Sequence, residues 1–153
     1  SAQDSLRFAA TCRTCRVVRL SEPLRGIEAT RSWRNDHTHY HPHEWQRLPR
    51  FVGRPLEVFV RCSWRDQGWG NRKGMLSVVA ADGKAPNDYC RWSDKVVCGR
   101  EPAPHSEQQL VMSFRPSNDD NLQPYTIFAR AGGGGGHSLH IRNLSVRVLE
   151  LIG

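Results

Sequence analysis

The most constraining feature of the chain is residues 55–74, PLEVFVRCSWRDQGWGNRKG, where a regular pattern stops abruptly. Its first half alternates, with five apolar side chains at every second position: Leu56, Val58, Val60, Cys62 and Trp64. A period of two predicts a half-buried β-strand with these side chains facing a core. From Arg65 onwards, charges, an amide, an indole and glycines replace the alternation, which predicts a loop. A polar loop at the end of a strong strand indicates a binding function on a β-scaffold.

Alternation recurs along most of the sequence, and turn signals separate the segments. Pro, Gly and Asx residues interrupt the pattern at short intervals, and no long stretch has helical periodicity. We therefore predict about eight or nine short strands. They cover approximately residues 16–20, 27–35, 45–48, 55–64, 75–81, 89–98, 110–114, 124–129 and 138–151. This arrangement is typical of an all-β protein, an antiparallel jelly-roll β-sandwich, and the long last strand favours chain ends that lie side by side.

Two details of the last third carry specific predictions. Leu139 and Ile141 share one parity, whereas Leu144 and the valines after it share the other, which predicts a β-bulge at Arg142 and Asn143. The five-glycine run 132–136 is expensive to order, so we expect a flexible hairpin loop there. Residues 75–81 are expected to return from the loop at 65–74 as a paired strand.

Length and composition favour one domain. A chain of 153 residues can bury a substantial core, and we expect residues 6–153 to form one domain after a disordered lead-in at residues 1–5. The sequence begins with Ser1, which we interpret as part of a larger protein. Five cysteines are an odd number, which favours reduced thiols and an intracellular location, cytoplasmic or nuclear, and no window resembles a membrane span.

Three short strings resemble a known family. Trp33-Arg34-Asn35, the corner Asp66-Gln67-Gly68-Trp69, and the closing strand 140–146 are similar to galactose-binding-like domains. That family includes discoidin-type lectin modules, sugar-binding F-box-associated domains and the jelly-roll subunit of the anaphase-promoting complex. The resemblance covers roughly residues 27–149 as architecture and implies a β-sandwich that binds glycans, peptides or proteins at the loops of one end. Fold alone does not decide between these ligands.

The loop 65–74 supplies most of the candidate ligand-binding residues. Asp66 is expected to orient Arg65 or Arg72 through a charge-assisted pair, and Trp69 to present a flat face to a ligand. The alternative is that the polar side chains only brace the loop while Trp69 caps the core. The residues predicted to bind the partner are Trp33, Asn35, Arg65, Asp66, Trp69, Asn71 and Arg72.

Two patterns suggest metal binding. Histidines alternate at His37, His39, His41 and His43, so an extended strand would place their imidazoles on one side, where a zinc ion could bind with Asp36 or Glu44. The alternative is a solvated loop, because side chains on one face of a strand lie about 7 Å apart. Cys12 and Cys15 form a CxxC pair that lacks a second half, so ordinary reduced cysteines are the simpler interpretation.

The remaining alternatives concern nucleic acid and catalysis. The formal charge of +7 comes mainly from arginine, which suits phosphate and carboxylate partners, although a merely basic surface explains it equally. An aromatic and basic surface for single-stranded nucleic acid would use the following residues: Trp64, Trp69, Trp92, Arg65, Arg72 and Arg91. No GxSxG, P-loop or HExxH motif is present, so we expect no enzyme and no required cofactor.

Overall fold

The computed structural model describes residues 17–34, 42–80, 95–116 and 124–152, and all regular structure within them is β. The strands are β1 (Val17–Leu20), β2 (Arg31–Arg34), β3 (His43–Arg47), β4 (Arg54–Asp66), β5 (Met75–Val79), β6 (Val96–Cys98), β7 (Gln108–Phe114), β8 (Thr126–Arg130) and β9 (Ser138–Ile152). The predicted all-β class with about nine strands is thereby confirmed.

The larger sheet is built around the two longest strands, β4 and β9. They pair antiparallel from Asp66 opposite Leu139 to Arg54 opposite Leu151, and β7 pairs with the other edge of β4. On the edge of β9 that faces away from β4, two short strands pair one after the other. β2 pairs with the beginning of β9 and β1 with its end. The first described strand therefore lies beside the last one, with Val17 opposite Ile152.

The second sheet has the order β3-β8-β5-β6 and is also antiparallel. Val60 and Ile141 from the larger sheet and Leu76 and Ile127 from the smaller one are fully buried in a single apolar cluster. Burial of apolar surface shared by two facing sheets is the main stabilising term of such a sandwich. The core thus explains the alternation seen in the sequence.

The predicted β-bulge lies where the parity of β9 changes. Between the pairs Arg61–Ser145 and Ser63–Arg142, β4 advances two residues and β9 advances three. Asn143 lies in this irregular stretch with a φ of 56°, a left-handed conformation that Asn adopts more readily than most residues. The extra residue lets Ile141 and Leu144 both reach the core, so the prediction is confirmed.

A second irregularity corrects the predicted face of β4. Leu56 was expected on the core face, but its side chain is exposed. The register shifts between Pro55 and Glu57, whose partners Glu150 and Leu149 are adjacent, so that β4 carries one extra residue there. Val58, Val60, Cys62 and Trp64 are buried as predicted.

Two predicted connections within one sheet are wrong for the same reason: the hairpin at the glycine run, and the pairing of residues 75–81 after the loop at 65–74. The glycine run joins β8 to β9, and residues 67–74 join β4 to β5, but each pair of strands belongs to two different sheets. The connection 99–107 between β6 and β7 crosses between the sheets as well. Contacts between these three crossing segments, given below, place them at the same end of the sandwich.

Candidate functional site

The loop 67–74 is held by its own amide side chain. The Nε2 group of Gln67 donates to the backbone carbonyls of Trp69 at 2.6 Å and Asn71 at 3.0 Å. Its Oε1 atom accepts from the backbone N–H of Ser138 at 3.2 Å, which ties the loop to the start of β9. The backbone carbonyl of Asn71 is therefore part of the hydrogen-bonded loop, and the residue is exposed.

Basic side chains fasten this loop to the other two crossing segments. Arg72 donates to the carbonyls of Ala103 at 3.0 Å and Pro102 at 2.9 Å, and Lys73 donates to the carbonyl of Gly133 at 3.0 Å. The guanidinium of Arg72, predicted to bind a partner, is thus engaged with two backbone oxygens. Its contacts indicate a bracing role in this structure.

Asp66 is fully buried beneath the loop. One carboxylate oxygen, Oδ1, accepts from the backbone N–H of Gly68 and lies 2.8 Å from Nδ1 of His105. Arg65 donates to the backbone carbonyl of Asp66 instead of its carboxylate. The predicted pairing of this carboxylate with Arg65 or Arg72 is therefore wrong. Its partner is His105, which no sequence motif connected to Asp66.

Trp69 is the exposed aromatic side chain of this end. Its side chain is 58% exposed, and its ring lies near parallel to that of His137, with 6.5 Å between centroids and 26° between planes. A Cβ atom placed on Gly136 would lie 3.1 Å from Cζ2 of the indole. The missing side chain of Gly136 thus leaves room for the indole, much of whose surface stays accessible.

Trp33 belongs to the core instead. It is 8% exposed and packs edge-on against Trp45 with centroids 4.9 Å apart, while the guanidinium of Arg31 lies 5.5 Å from the Trp33 ring centroid. The indole N–H of Trp45 donates to Glu28 at 2.6 Å. Trp33 therefore supports the end of β2 from inside, and Asn35 lies outside the described residues.

Beside Trp69 lies an open cleft of about 520 Å³, here called the His140 cleft. The described residues that line it are Arg34, Gly136, His137, Ser138 and His140. Sequence reasoning assigned none of them a role. The available signal was that Arg34, Ser138 and His140 occupy polar positions between core residues of β2 and β9, and the strand register that brings them together could not be predicted.

His140 is held between two hydroxyl groups. Its Nδ1 atom lies 2.8 Å from Oγ of Ser32, and its Nε2 atom lies 2.9 Å from Oγ of Ser138. Burial lowers the pKa of His140, the positive charges of Arg65 and Arg34 lower it further, and the negative charge of Asp66 opposes them. The neutral imidazole is favoured, in a surrounding that is electrostatically positive.

The metal hypotheses involve mostly residues that the structure does not describe. His37, His39 and His41 lie outside the described residues, as do Asp36, Cys12 and Cys15, whereas His43 and Glu44 lie at the start of β3. Within the described ranges, no group of three or more His, Cys, Asp or Glu side chains has the geometry to hold a metal ion. Zinc binding by the histidine ladder stays a prediction.

The two described cysteines are free thiols. Cys62 is buried and Cys98 partly buried, and burial raises the pKa of each thiol to about 12. A thiol with so high a pKa carries almost no thiolate near neutral pH and is a poor nucleophile and metal ligand.

The aromatic and basic surface proposed for nucleic acid loses one of its indoles. Trp64 is buried in the core at 6% exposure, and Trp92 and Arg91 lie outside the described residues. Of the three tryptophans predicted for stacking, Trp69 alone is both described and exposed.

Comparisons with known proteins add no assignment. No protein-family model matches this chain, and no curated protein matches its sequence. Among the described residues, no helix has the length and apolar character needed to cross a membrane.

Proposed function

We propose that the domain is a non-catalytic binding module that recognises a protein, peptide or glycan partner through the loops at the Trp69 end of the sandwich. The same proposal includes membership of the galactose-binding-like jelly-roll family, whose ligands bind at one end, and an intracellular location. The free thiols of Cys62 and Cys98 support that location, because an oxidising compartment favours disulfides.

The observation that carries the proposal is an exposed indole beside a polar cleft on a braced scaffold. Trp69 lies next to the His140 cleft, because its neighbours Gly136 and His137 also line the cleft. Large aromatic side chains beside a few placed polar groups supply much of the energy at binding sites. Covering the exposed apolar surface of a tryptophan with a partner removes it from water, which is favourable in free energy.

The surroundings of His105 and of the two described cysteines support a binding role over an enzymatic one at these positions. The imidazole of His105 is oriented by Asp66, which resembles part of a catalytic dyad. Within the described ranges, however, no hydroxyl or thiol is hydrogen-bonded to His105, and the cysteine thiols are protonated. The Asp66–His105 pair instead links β4 to the segment 99–107.

Parallel screening of glycan and peptide arrays tests the proposal. The wild-type domain, Trp69→Ala and Val111→Ala would be applied at equal concentration, since Val111 is also 58% exposed but lies on β7 within the larger sheet. We expect partners that the wild type and Val111→Ala retain and Trp69→Ala loses. Arrays without a specific hit, or hits that survive Trp69→Ala undiminished, would refute the proposed function.

A further inference from the structure

Two strands, β2 and β4, bring positive side chains close to His140 of β9. In the larger sheet, Ser32 and Arg65 flank His140 from the two neighbouring strands, and Arg34 stands opposite Ser138. Directly opposed residues have Cβ atoms about 5 Å apart and point to the same face. Because Leu139 and Ile141 point into the core, His140 and its cross-strand neighbours point outwards.

The charge of the cleft is not balanced by a carboxylate among the described residues. None of the described lining residues is acidic, and neither Arg34 nor Arg65 forms an ion pair with a described Asp or Glu. The nearby Asp66 is fully buried and engaged with Gly68 and His105. A ligand in the cleft therefore meets the guanidinium of Arg34, whose planar fork matches a carboxylate or sulfate.

The hydroxyls around His140 add a directional donor. A neutral imidazole has one N–H donor and one acceptor nitrogen, so one of Ser32 and Ser138 accepts from the ring while the other donates to it. The serine that accepts keeps its own O–H for another acceptor. Either tautomer of His140 thus leaves one hydroxyl donor near Arg34, which suits an anionic oxygen.

The neighbouring indole indicates the rest of the ligand. Trp69 offers a flat apolar face next to polar groups, which fits a pyranose ring with an apolar face and hydroxyl edges. An apolar peptide side chain would need a hydrophobic pocket, whereas the described cleft lining consists of arginine, glycine, histidine and serine. A nucleic acid strand would need successive stacking platforms, and Trp64 is buried.

We propose that the His140 cleft binds the carboxylate or sulfate of an acidic saccharide whose ring lies on Trp69. This inference rests on the proposed function and specifies its ligand class. Arg34 contacts the anionic group, the free serine hydroxyl donates to it, and Arg65 strengthens the positive potential from the adjacent strand.

Matched sugars that differ in one charged group test the inference. Methyl glucuronide, glucose 6-sulfate and the neutral methyl glucoside would be titrated into isotopically labelled protein at constant ionic strength, with His140 imidazole signals and tryptophan fluorescence as readouts. A tetraglutamate peptide serves as the acidic peptide arm. We expect the two acidic sugars to bind about tenfold or more tightly than methyl glucoside, and to raise the pKa of His140.

Two arginine variants separate a specific site from general attraction. Arg34→Gln should abolish the preference for the acidic sugars, whereas Arg61→Gln should keep it, because Arg61 is also an exposed arginine of the larger sheet but does not line the cleft. Equal loss in both variants, equal affinity for methyl glucoside, or binding of the peptide alone would overturn the inference.

If array partners depend on Trp69 but are neutral, the proposed function survives and the acidic ligand is wrong. If acidic sugars bind independently of Trp69, the anion site survives and the proposed binding surface is wrong.

Discussion

Replacing Asp66 with alanine should destabilise the domain, whereas replacing Trp69 should mainly abolish binding. The two residues lie three positions apart in one predicted ligand loop, yet Asp66 is fully buried and Trp69 is 58% exposed. The Asp66 carboxylate connects β4 to the loop through Gly68 and to the crossing segment 99–107 through His105. Its removal leaves both donors without this acceptor.

The contacts of Asp66 define the size of the effect. Loss of the part-buried hydrogen bond from the Gly68 N–H to Asp66 costs about 1–3 kcal/mol. The bond to His105 contributes less than a fully buried pair, because the His105 side chain is 40% exposed and water replaces part of the interaction. Alanine also removes the buried Oδ2 atom, which has no hydrogen-bond partner among the described residues, and this removal offsets part of the loss. The net destabilisation is about 2 kcal/mol, or about 4–8 °C in Tm for a domain of this size.

Urea denaturation followed by tryptophan fluorescence and circular dichroism measures this effect. Asp66→Asn is the matched variant, since it keeps an acceptor at Oδ1 and should lose roughly half as much stability as Asp66→Ala. Trp69→Ala should stay within about 1 kcal/mol of the wild type, because much of its ring is in water. An Asp66→Ala protein as stable as the wild type, or a Trp69→Ala protein less stable than Asp66→Ala, would refute the assignment of brace and contact surface.

Three further predictions concern other parts of the described structure. Gly99→Ala should lower the free energy of unfolding by about 3 kcal/mol or more, because φ is +89° and the new Cβ would lie 2.2 Å from a backbone oxygen. The control Gly26→Ala, with φ +77° and no atom within 4 Å, should lower it by about 1–2 kcal/mol in the same urea titration. In an NMR titration, the pKa of His140 should lie below the ordinary 6.5, and a midpoint above 6.5 would contradict this prediction. The free energy of unfolding should therefore fall as pH drops from 6.5 through the folded-state pKa, and His140→Gln should lack this part of the pH dependence. Cys62 and Cys98 should resist iodoacetamide at pH 8 in the folded protein and react after unfolding in guanidinium, as peptide mass spectrometry can record; rapid labelling of the folded state would contradict the raised pKa of about 12.

The sequence by itself determined the local structure because alternation depends only on the pleat of a single strand. It located the strands, the core face of most of β4, and the bulge at Asn143. There, an extra residue is needed for apolar side chains of both parities to reach the same core. It also identified the loop that carries Trp69. It misplaced Leu56, since the extra residue at that end of β4 follows from pairing with β9.

The tertiary structure alone decided which strands pair and which side chains meet. Local patterns do not encode sheet membership, so two connections predicted as returns within one sheet proved to cross between sheets. The partners of the site lie far apart in the chain: Ser32 and His140 are separated by 108 positions, and Asp66 and His105 by 39. Such contacts arise from burying one shared core and pairing long strands, a long-range balance that no short stretch of sequence contains. For that reason the loop was predictable, and the cleft beside it was not.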